Sequence, residues 1–150
     1  MTLLTHTSYG KNLFTSYFMD SPATMHSTVL DLKASQTHEW LRKEEDFSVL
    51  GITDHAQSEL GDIVYIELPN PGRYLQKDEV FGTVESVKTV SDLYAPFAAE
   101  VVEVNESLHS RPELVNSDPY GGGWMIRLKP AEENRADFLD ADAYQAFMAQ

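Results

Sequence analysis

The 150-residue sequence contains no cysteine. Disulfide bridges, thiolate metal sites and a cysteine nucleophile are therefore excluded, and any sulfur chemistry would need a cofactor that brings the sulfur. Basic residues are scarce, since 11 Lys and Arg stand against 24 Asp and Glu for a net charge of −13. Nucleic-acid backbones are bound by clustered cations. We therefore expect no nucleic-acid partner, and protein partners with basic surfaces instead.

Long apolar runs are also missing. No segment approaches the roughly 20 consecutive apolar residues of a membrane span, so we expect no membrane association. The apolar content is nevertheless 42%, with 11% aromatic residues, which is enough to build the core of one domain.

The patterns of common active sites and metal sites are absent too. There is no G-x-S-x-G elbow and no phosphate-binding loop. The five histidines are scattered, with no pair at helical i, i+4 spacing. We therefore interpret His38 and His55 as capping, turn or surface residues and expect no metal site. No constellation supports an enzyme, and we predict that the chain is not one.

Residues 1–26 differ in composition from the rest of the chain. They are rich in Ser and Thr and contain one Lys, one Asp and no Arg. The missing arginines argue against a mitochondrial transit peptide. We predict a disordered or targeting extension at 1–26, or a start codon upstream of the true one at Met19 or Met25, and one folded domain at 27–150.

Short apolar runs between turn residues predict a mainly β fold, either a sandwich or a partly closed barrel. The expected strands are 39–43, 47–52, 63–69, 79–87, 99–105 and 123–130. In the third, alternation predicts Val64, Ile66 and Leu68 on one face and Ile63 and Tyr65 on the other.

Helix signals are few. We expect a short helix capped by Asp54 and ended by Gly61 in a left-handed conformation, and one helical turn at 112–115. Asp140 is the expected cap of a C-terminal helix. The residues of that helix at core-facing spacing are Leu139, Ala143, Tyr144, Phe147 and Met148.

Lys88 stands in the bend between two predicted strands, in the stretch ESVKTVSD. Taken alone, such a lysine is most often an ordinary solvated turn residue. The functional interpretation is an attachment point for a prosthetic group, which needs an exposed primary amine on a rigid support. Acylation there would replace the charge by a neutral amide.

Several ordered segments of the chain give this lysine its context, and together they resemble the H proteins of the glycine cleavage system, a family of lipoyl carriers. The resemblance runs from about residue 29 to residue 148. The matching segments are THEW (37–40), GITDHAQSELGDIVYIELP (51–69), FGTVESVKTVSD (81–92), EVVEVN (100–105), ELVNSDPY (113–120) and GWMIRLKP (123–130).

The resemblance implies a lipoyl-domain-like barrel-sandwich hybrid with short helices, a C-terminal helix and an attachment lysine at a hairpin tip. Lys88 would be the lipoylated lysine, an N6-lipoyllysine. The attachment motif around it would comprise Glu85, Ser86, Val87, Ser91 and Asp92. Thr37, Glu39 and Asp92 would line a cleft that shelters the loaded arm, where carboxylates attract a cationic aminomethyl group.

The resemblance also implies partners. Glycine decarboxylase (P protein) would load the lipoyl arm, aminomethyltransferase (T protein) would unload it, and dihydrolipoyl dehydrogenase (L protein) would reoxidise it. A lipoate ligase or lipoyltransferase would attach the lipoate. We expect a monomer in the bacterial cytoplasm, with the mitochondrial matrix as the alternative.

Three alternatives remain beside the glycine cleavage role. A biotinyl domain usually has Met on both sides of its lysine, and Val87 and Thr89 argue against it. A lipoyl relay, which donates lipoate to other lipoyl domains, is not separated by sequence. An unmodified binding module is disfavoured by the intact segment from Glu85 to Asp92.

Two positions depart from the family pattern. Asp78 stands where the family usually has a turn glycine, and Asp tolerates a left-handed backbone better than most residues. Ala98-Ala99 replaces the usual Ser-Gly. Ala99 would be costly if that glycine had a positive φ, and harmless if it only allowed close packing.

Overall fold

The computed structural model describes residues 32–131 and 138–149. Their nine strands and four helices are, in chain order, β1 (Lys33–Ala34), β2 (Glu39–Glu44), β3 (Phe47–Ile52), α1 (Asp54–Leu60), β4 (Ile63–Glu67), β5 (Tyr74–Leu75), β6 (Val80–Ser86), β7 (Val90–Tyr94), β8 (Ala99–Val104), α2 (Ser107–Ser110), α3 (Leu114–Ser117), β9 (Ile126–Pro130) and α4 (Ala141–Met148). The extension 1–26 lies outside the described residues.

Two antiparallel sheets carry the fold. One has six strands in the order β1-β2-β3-β9-β8-β5, and the other has three in the order β4-β6-β7. The larger core cluster draws residues from both sheets. A second cluster contains Trp40 and Tyr144 and joins the six-stranded sheet to α4. The mainly β architecture with short helices and a C-terminal helix is confirmed.

The paired strands β2 and β3 match the expected strands 39–43 and 47–52. Glu44 pairs with Phe47, and Glu45 takes the left-handed conformation of the turn with φ 54°. Trp40 is fully buried, and its indole N–H donates to the Pro119 carbonyl at 2.9 Å. The two expected strands are confirmed, and Trp40 lies in the core between them and the rest of the chain.

Helix α1 begins one residue earlier than expected. Thr53 is the N-cap, with extended φ and ψ, and its hydroxyl oxygen accepts the Ala56 N–H at 3.2 Å. Asp54 is the first helical residue, and its carboxylate accepts from the Gln57 side chain at 2.8 Å. Asp54 as cap is therefore wrong, whereas Gly61 ends the helix with φ 83° as expected.

The face prediction for β4 is wrong. Its pairing with β6 shifts register between Ile63 and Tyr65. Such a bulge adds a residue and breaks the two-residue alternation of a strand. As a result Ile63 and Ile66 are both buried, while Val64 and Tyr65 are about half exposed.

The helix predictions near the C-terminus are confirmed in part. Asp140 caps α4, accepting the Ala143 N–H at 2.9 Å, and Tyr144 is fully buried. Ala143 itself is exposed rather than core-facing. Between β8 and β9 the chain forms two short helices, α2 and α3, where one turn at 112–115 was expected.

Both departures from the family pattern are accommodated. Asp78 takes φ 66°, so it occupies the left-handed conformation that favours glycine. Ala99 is fully buried in β8 and is not among the described residues with positive φ. Ala99 therefore has no unfavourable backbone conformation, and its methyl group packs in the core.

None of the helices in the described ranges has the length and apolar character that crossing a membrane requires.

Candidate functional site

Lys88 lies at the tip of the hairpin between β6 and β7, exposed to solvent. The last ladder pair before the tip is Glu85 with Val90. The neighbouring side chains Val87 and Val90 are 68% and 62% exposed. A modifying enzyme can therefore approach the lysine without displacing core residues.

Ser86 holds the tip in shape. It is buried, and its hydroxyl oxygen accepts the backbone N–H groups of Lys88 at 3.2 Å and Thr89 at 3.1 Å. The Ser86 backbone N–H donates to the Thr89 carbonyl at 2.8 Å, and the hydroxyl lies 3.3 Å from the same oxygen. A serine in this position completes the backbone bonding of a turn that the strand ladder leaves unfinished.

The corner between α1 and β4 supports the tip from the side. The Val87 N–H donates to the Asp62 carbonyl at 3.0 Å. A Cβ on Gly61 would lie 3.5 Å from Lys88 Cε, so the lysine stem passes over this glycine. Because these contacts fix the turn, the flexible part of the site is the lysine side chain itself.

Asn116 of α3 fixes that corner, a role that no sequence pattern indicated. Its side-chain oxygen accepts the Ile63 N–H at 2.9 Å, and its amide donates to the Gly61 carbonyl at 3.0 Å and the Gln57 side chain at 2.8 Å. The residue lies inside ELVNSDPY, a segment that matched the family, and that match was the available signal.

A cleft of about 470 Å³ lies near the far end of β7 from Lys88. It brings together the predicted residues Thr37 and Glu39, and Lys77, Tyr94 and the segment 138–139 complete much of its wall. The predicted cleft role of Asp92 stays a prediction. Asp92 is exposed on β7 and lies outside the lining, two residues before Tyr94.

Glu39 is the buried charge of this cleft, with 4% of its surface exposed. Its Oε1 accepts hydrogen bonds from Thr37 at 2.5 Å and Ser35 at 2.8 Å. Burial raises the pKa of the Glu39 carboxyl, and the hydrogen bonds from Thr37, Ser35 and the Tyr94 backbone partly oppose the shift. An ionised Glu39 would therefore gain from a cation placed in the cleft.

The remaining residues of the predicted attachment motif surround the tip. Glu85 and Asp92 are exposed on β6 and β7, and Ser91 of β7 pairs with Val84. Acidic side chains thus flank the lysine along both strands. Such a surface suits partners that present basic residues.

Two histidines that are 17 positions apart in sequence meet beside the cleft. The ring centroids of His38 and His55 are 4.6 Å apart. Periodicity carries no signal for such a tertiary contact. Within the described ranges no group of three or more His, Cys, Asp or Glu side chains is placed to hold a metal ion.

Comparison with known proteins gives consistent matches. The family model described as glycine cleavage H-protein matches residues 32–150. The glycine cleavage system H protein of Bacteroides thetaiotaomicron is 54% identical over 117 residues, covering 77% of this chain and 93% of the relative. That of Thermus thermophilus is 56% identical over 112 residues, covering 74% and 88%.

A solved structure agrees. The crystal structure of a glycine cleavage system H protein from Mycobacterium marinum superposes with a TM-score of 0.75 at 34% identity, covering 81% of this chain and 98% of that one. These names do not favour the lipoyl-relay alternative. The chain belongs to the glycine cleavage H-protein family.

Proposed function

We propose that this chain is the lipoyl-carrying shuttle of a glycine cleavage system, with the lipoyl group attached to Lys88. The observation that best supports this proposal is the position of the lysine. It is exposed at a hairpin tip whose backbone is held by Ser86 and by the Asp62 carbonyl. A rigid support with one swinging amine suits attachment of a long arm.

The residues present fit such a group. When attached, a lipoyl group supplies a disulfide that accepts a carbon fragment and electrons. The chain contributes the tether, which raises the local concentration of the arm at each partner's site. No residue of the chain is assigned a catalytic role.

The cleft is the proposed shelter for the cargo. Strand β7 connects the two features, because Lys88 precedes it and Tyr94 at its end lines the cleft. Thr37 orients the Glu39 carboxylate, and Glu39 attracts the cationic aminomethyl group. Removing bulk water there strengthens that attraction.

The partners follow from the family. They are glycine decarboxylase (P protein), aminomethyltransferase (T protein) and dihydrolipoyl dehydrogenase (L protein), and a lipoate ligase or lipoyltransferase attaches the group. We propose a monomer acting in the bacterial cytoplasm, which the bacterial sources of the reported relatives support. The extension 1–26 and the folded domain 27–150 stay predictions.

The attachment is tested by intact mass after incubation with lipoate, ATP and a lipoate ligase. Wild type should gain one lipoyl increment, and Lys88→Arg should gain none. Lys129→Arg, which changes another exposed lysine, should behave as wild type. A full increment on Lys88→Arg would refute attachment at this position.

The role in glycine cleavage is tested separately by glycine–bicarbonate exchange with the P protein. Lipoylated wild type should support the exchange, and unlipoylated protein and Lys88→Arg should not. Lipoylated protein that fails to support exchange, while it passes lipoate to other lipoyl domains, would overturn the glycine role in favour of the relay.

The cleft role is tested by the half-life of the aminomethyl-loaded carrier. Glu39→Gln should shorten it, and Glu113→Gln, at an exposed acid outside the lining, should change it little. Charge attraction at 4 Å is worth about 1 kcal/mol in water and about 4 kcal/mol near a protein surface, which predicts a loss of at least about fivefold. An unchanged half-life for Glu39→Gln would remove the carboxylate from the proposal.

A further inference from the structure

His38 stands between the two cleft residues Thr37 and Glu39, in a left-handed conformation with φ 69°. Its ring Nδ1 lies 2.6 Å from the Tyr144 hydroxyl of α4. The ring also packs against His55 of α1, and the Phe147 ring of α4 lies 5.9 Å away. Three segments of the chain therefore meet at this one imidazole.

The same α4 segment supplies the opposite wall of the cleft. Phe138 and Leu139 line the cleft and lead into α4. Leu139 exchanges two backbone hydrogen bonds with Ala34 at 2.7 and 2.8 Å. The Thr37–Glu39 wall and the 138–139 wall are thus joined at two places, at Ala34 by backbone bonds and at His38 by a side chain.

The hydrogen bonds at His38 form a chain with a preferred direction. The Tyr144 hydroxyl lies 2.8 Å from Thr53 Oγ1, which already accepts the Ala56 N–H. If Thr53 donates to Tyr144 and Tyr144 donates to His38, every hydroxyl proton has an acceptor. In the reverse direction, the hydroxyl proton of the fully buried Thr53 would lose Tyr144 as its acceptor. A buried donor without an acceptor is costly, so we take His38 Nδ1 as the acceptor.

The charges around the His38 ring also favour the neutral imidazole. His55 and Glu59 face it from α1, and Tyr144 faces it from α4. Burial and the proximity of His55 lower the pKa of His38, and Glu59 partly opposes them. The stability contributed by the neutral ring is therefore present above the usual pKa of 6.5 and is lost as the pH falls through the lowered value.

We propose that His38 is a positioning residue for the cleft: as a neutral imidazole accepting from Tyr144, it holds the Thr37–Glu39 wall against α4, and protonation releases that wall. The consequence for cargo rests on the proposed function, because it assumes that the cleft shelters the aminomethyl group. The coupling between His38 and the cleft wall does not rest on the proposed function, because it concerns only this chain's own residues.

The coupling is measured on the unlipoylated full chain by NMR between pH 4.5 and 8. We expect His38 to be the Nε2–H tautomer when neutral, with a pKa below 6.5. The amide signals of Thr37, Glu39 and Leu139 should shift with the same midpoint. His109→Gln, which removes an exposed histidine of α2, is the matched control and should leave these shifts unchanged. An Nδ1–H tautomer, or cleft amides that do not follow His38, would overturn the proposal.

Tyr144→Phe separates positioning from a merely structural role. It keeps the buried ring and removes only the hydroxyl, so the fold should survive while the Leu139 amide no longer follows His38. His38→Asn, whose side chain tolerates the left-handed backbone, should abolish this titration altogether. If Leu139 still follows His38 in Tyr144→Phe, the hydroxyl does not carry the coupling.

The effect of the His38–Tyr144 bond on retention of the aminomethyl group is measured as the half-life of the loaded carrier at different pH values. Tyr144→Phe removes the hydrogen bonds to His38 and Thr53. Loss of the His38 bond alone predicts a half-life about 2- to 10-fold shorter at pH 7.5. The ratio between wild type and variant should approach one as the pH falls through the His38 midpoint. A constant ratio would refute the link between His38 and retention, while lipoylation of Lys88 stays intact in both proteins and leaves the carrier assignment standing.

Discussion

Replacing Ser86 by alanine should loosen the hairpin tip that presents Lys88 while leaving the core packed. The substitution removes one oxygen from a buried side chain and keeps its Cβ. That oxygen accepts two backbone N–H groups, from Lys88 and Thr89, at 3.2 and 3.1 Å. The two strands below the tip keep their ladder, so the effect should be confined to the turn.

The loss of stability in the turn depends on how easily water can replace the lost hydrogen bonds. A net intramolecular hydrogen bond is worth about 0.5–1.5 kcal/mol. Lys88 and Thr89 are exposed, so their freed N–H groups can be hydrated, which places each bond at the lower end. We expect a loss of about 1–2 kcal/mol in the stability of the ordered turn, which is a factor of about 5–30 in its population.

Amide hydrogen exchange measures this directly. The Lys88 and Thr89 amides should exchange about 5–30 times faster in Ser86→Ala, and the lipoate ligase should modify the protein more slowly. Ser110→Ala, at an exposed serine of α2, is the matched control and should change neither quantity. If the two tip amides exchange at the wild-type rate in Ser86→Ala, the serine does not hold the tip and the reasoning fails.

Three further predictions concern the frame of the site. Gly82→Ala should destabilise the protein by about 3 kcal/mol or more in urea unfolding, because a Cβ there would lie 2.1 Å from the Glu67 carbonyl oxygen; a loss under about 1 kcal/mol would contradict this close approach. Asp78→Ala should cost about 1 kcal/mol at φ 66°, whereas Asp78→Gly should lie closer to wild type; equal losses would contradict a conformational cause. Burial raises the pKa of the Glu39 carboxyl, so its contribution to stability is present below the usual value of 4.5 and is lost as the pH rises through the raised value. The stability of Glu39→Gln relative to wild type should therefore increase between pH 4 and 8. The opposite trend would contradict the raised pKa.

Six of the nine strands were predictable because their signals, apolar runs between turn residues, are local. The strand β7, which follows Lys88 and completes its hairpin, was not among the expected strands, and neither were the two-residue strands β1 and β5. The position of Lys88 at a hairpin tip was an implication of the family resemblance. The face of β4 was not predictable in this way. One inserted residue between Ile63 and Tyr65 reverses the alternation of buried and exposed side chains, and no residue type at this position indicates a bulge.

Asp54 shows a second limit of local reasoning. Thr53 and Asp54 are adjacent residues, and both types cap helices well. The structure selects Thr53, whose hydroxyl also meets Tyr144 from the far end of the chain, while the Asp54 N–H donates to the Tyr120 hydroxyl. The choice between two equivalent caps is thus settled by tertiary partners that a local pattern does not contain.

The cleft extends the same argument to function. Its lining comes from the segments 35–39, 77–78, 94–96 and 138–139, which no spacing rule relates. Family resemblance assigned Thr37, Glu39 and Asp92 to a cleft; Thr37 and Glu39 line this one, and Asp92 is exposed on β7 outside its lining. A motif transfers residue identities and not the direction in which each side chain points. His38 illustrates the converse, because it lies within the matched segment THEW, and its bond to Tyr144 becomes visible only when α4 is in place. The lysine and its flanking motif are therefore readable from the chain, whereas Asn116 and the residues that shape a shelter for the cargo depend on contacts between distant segments.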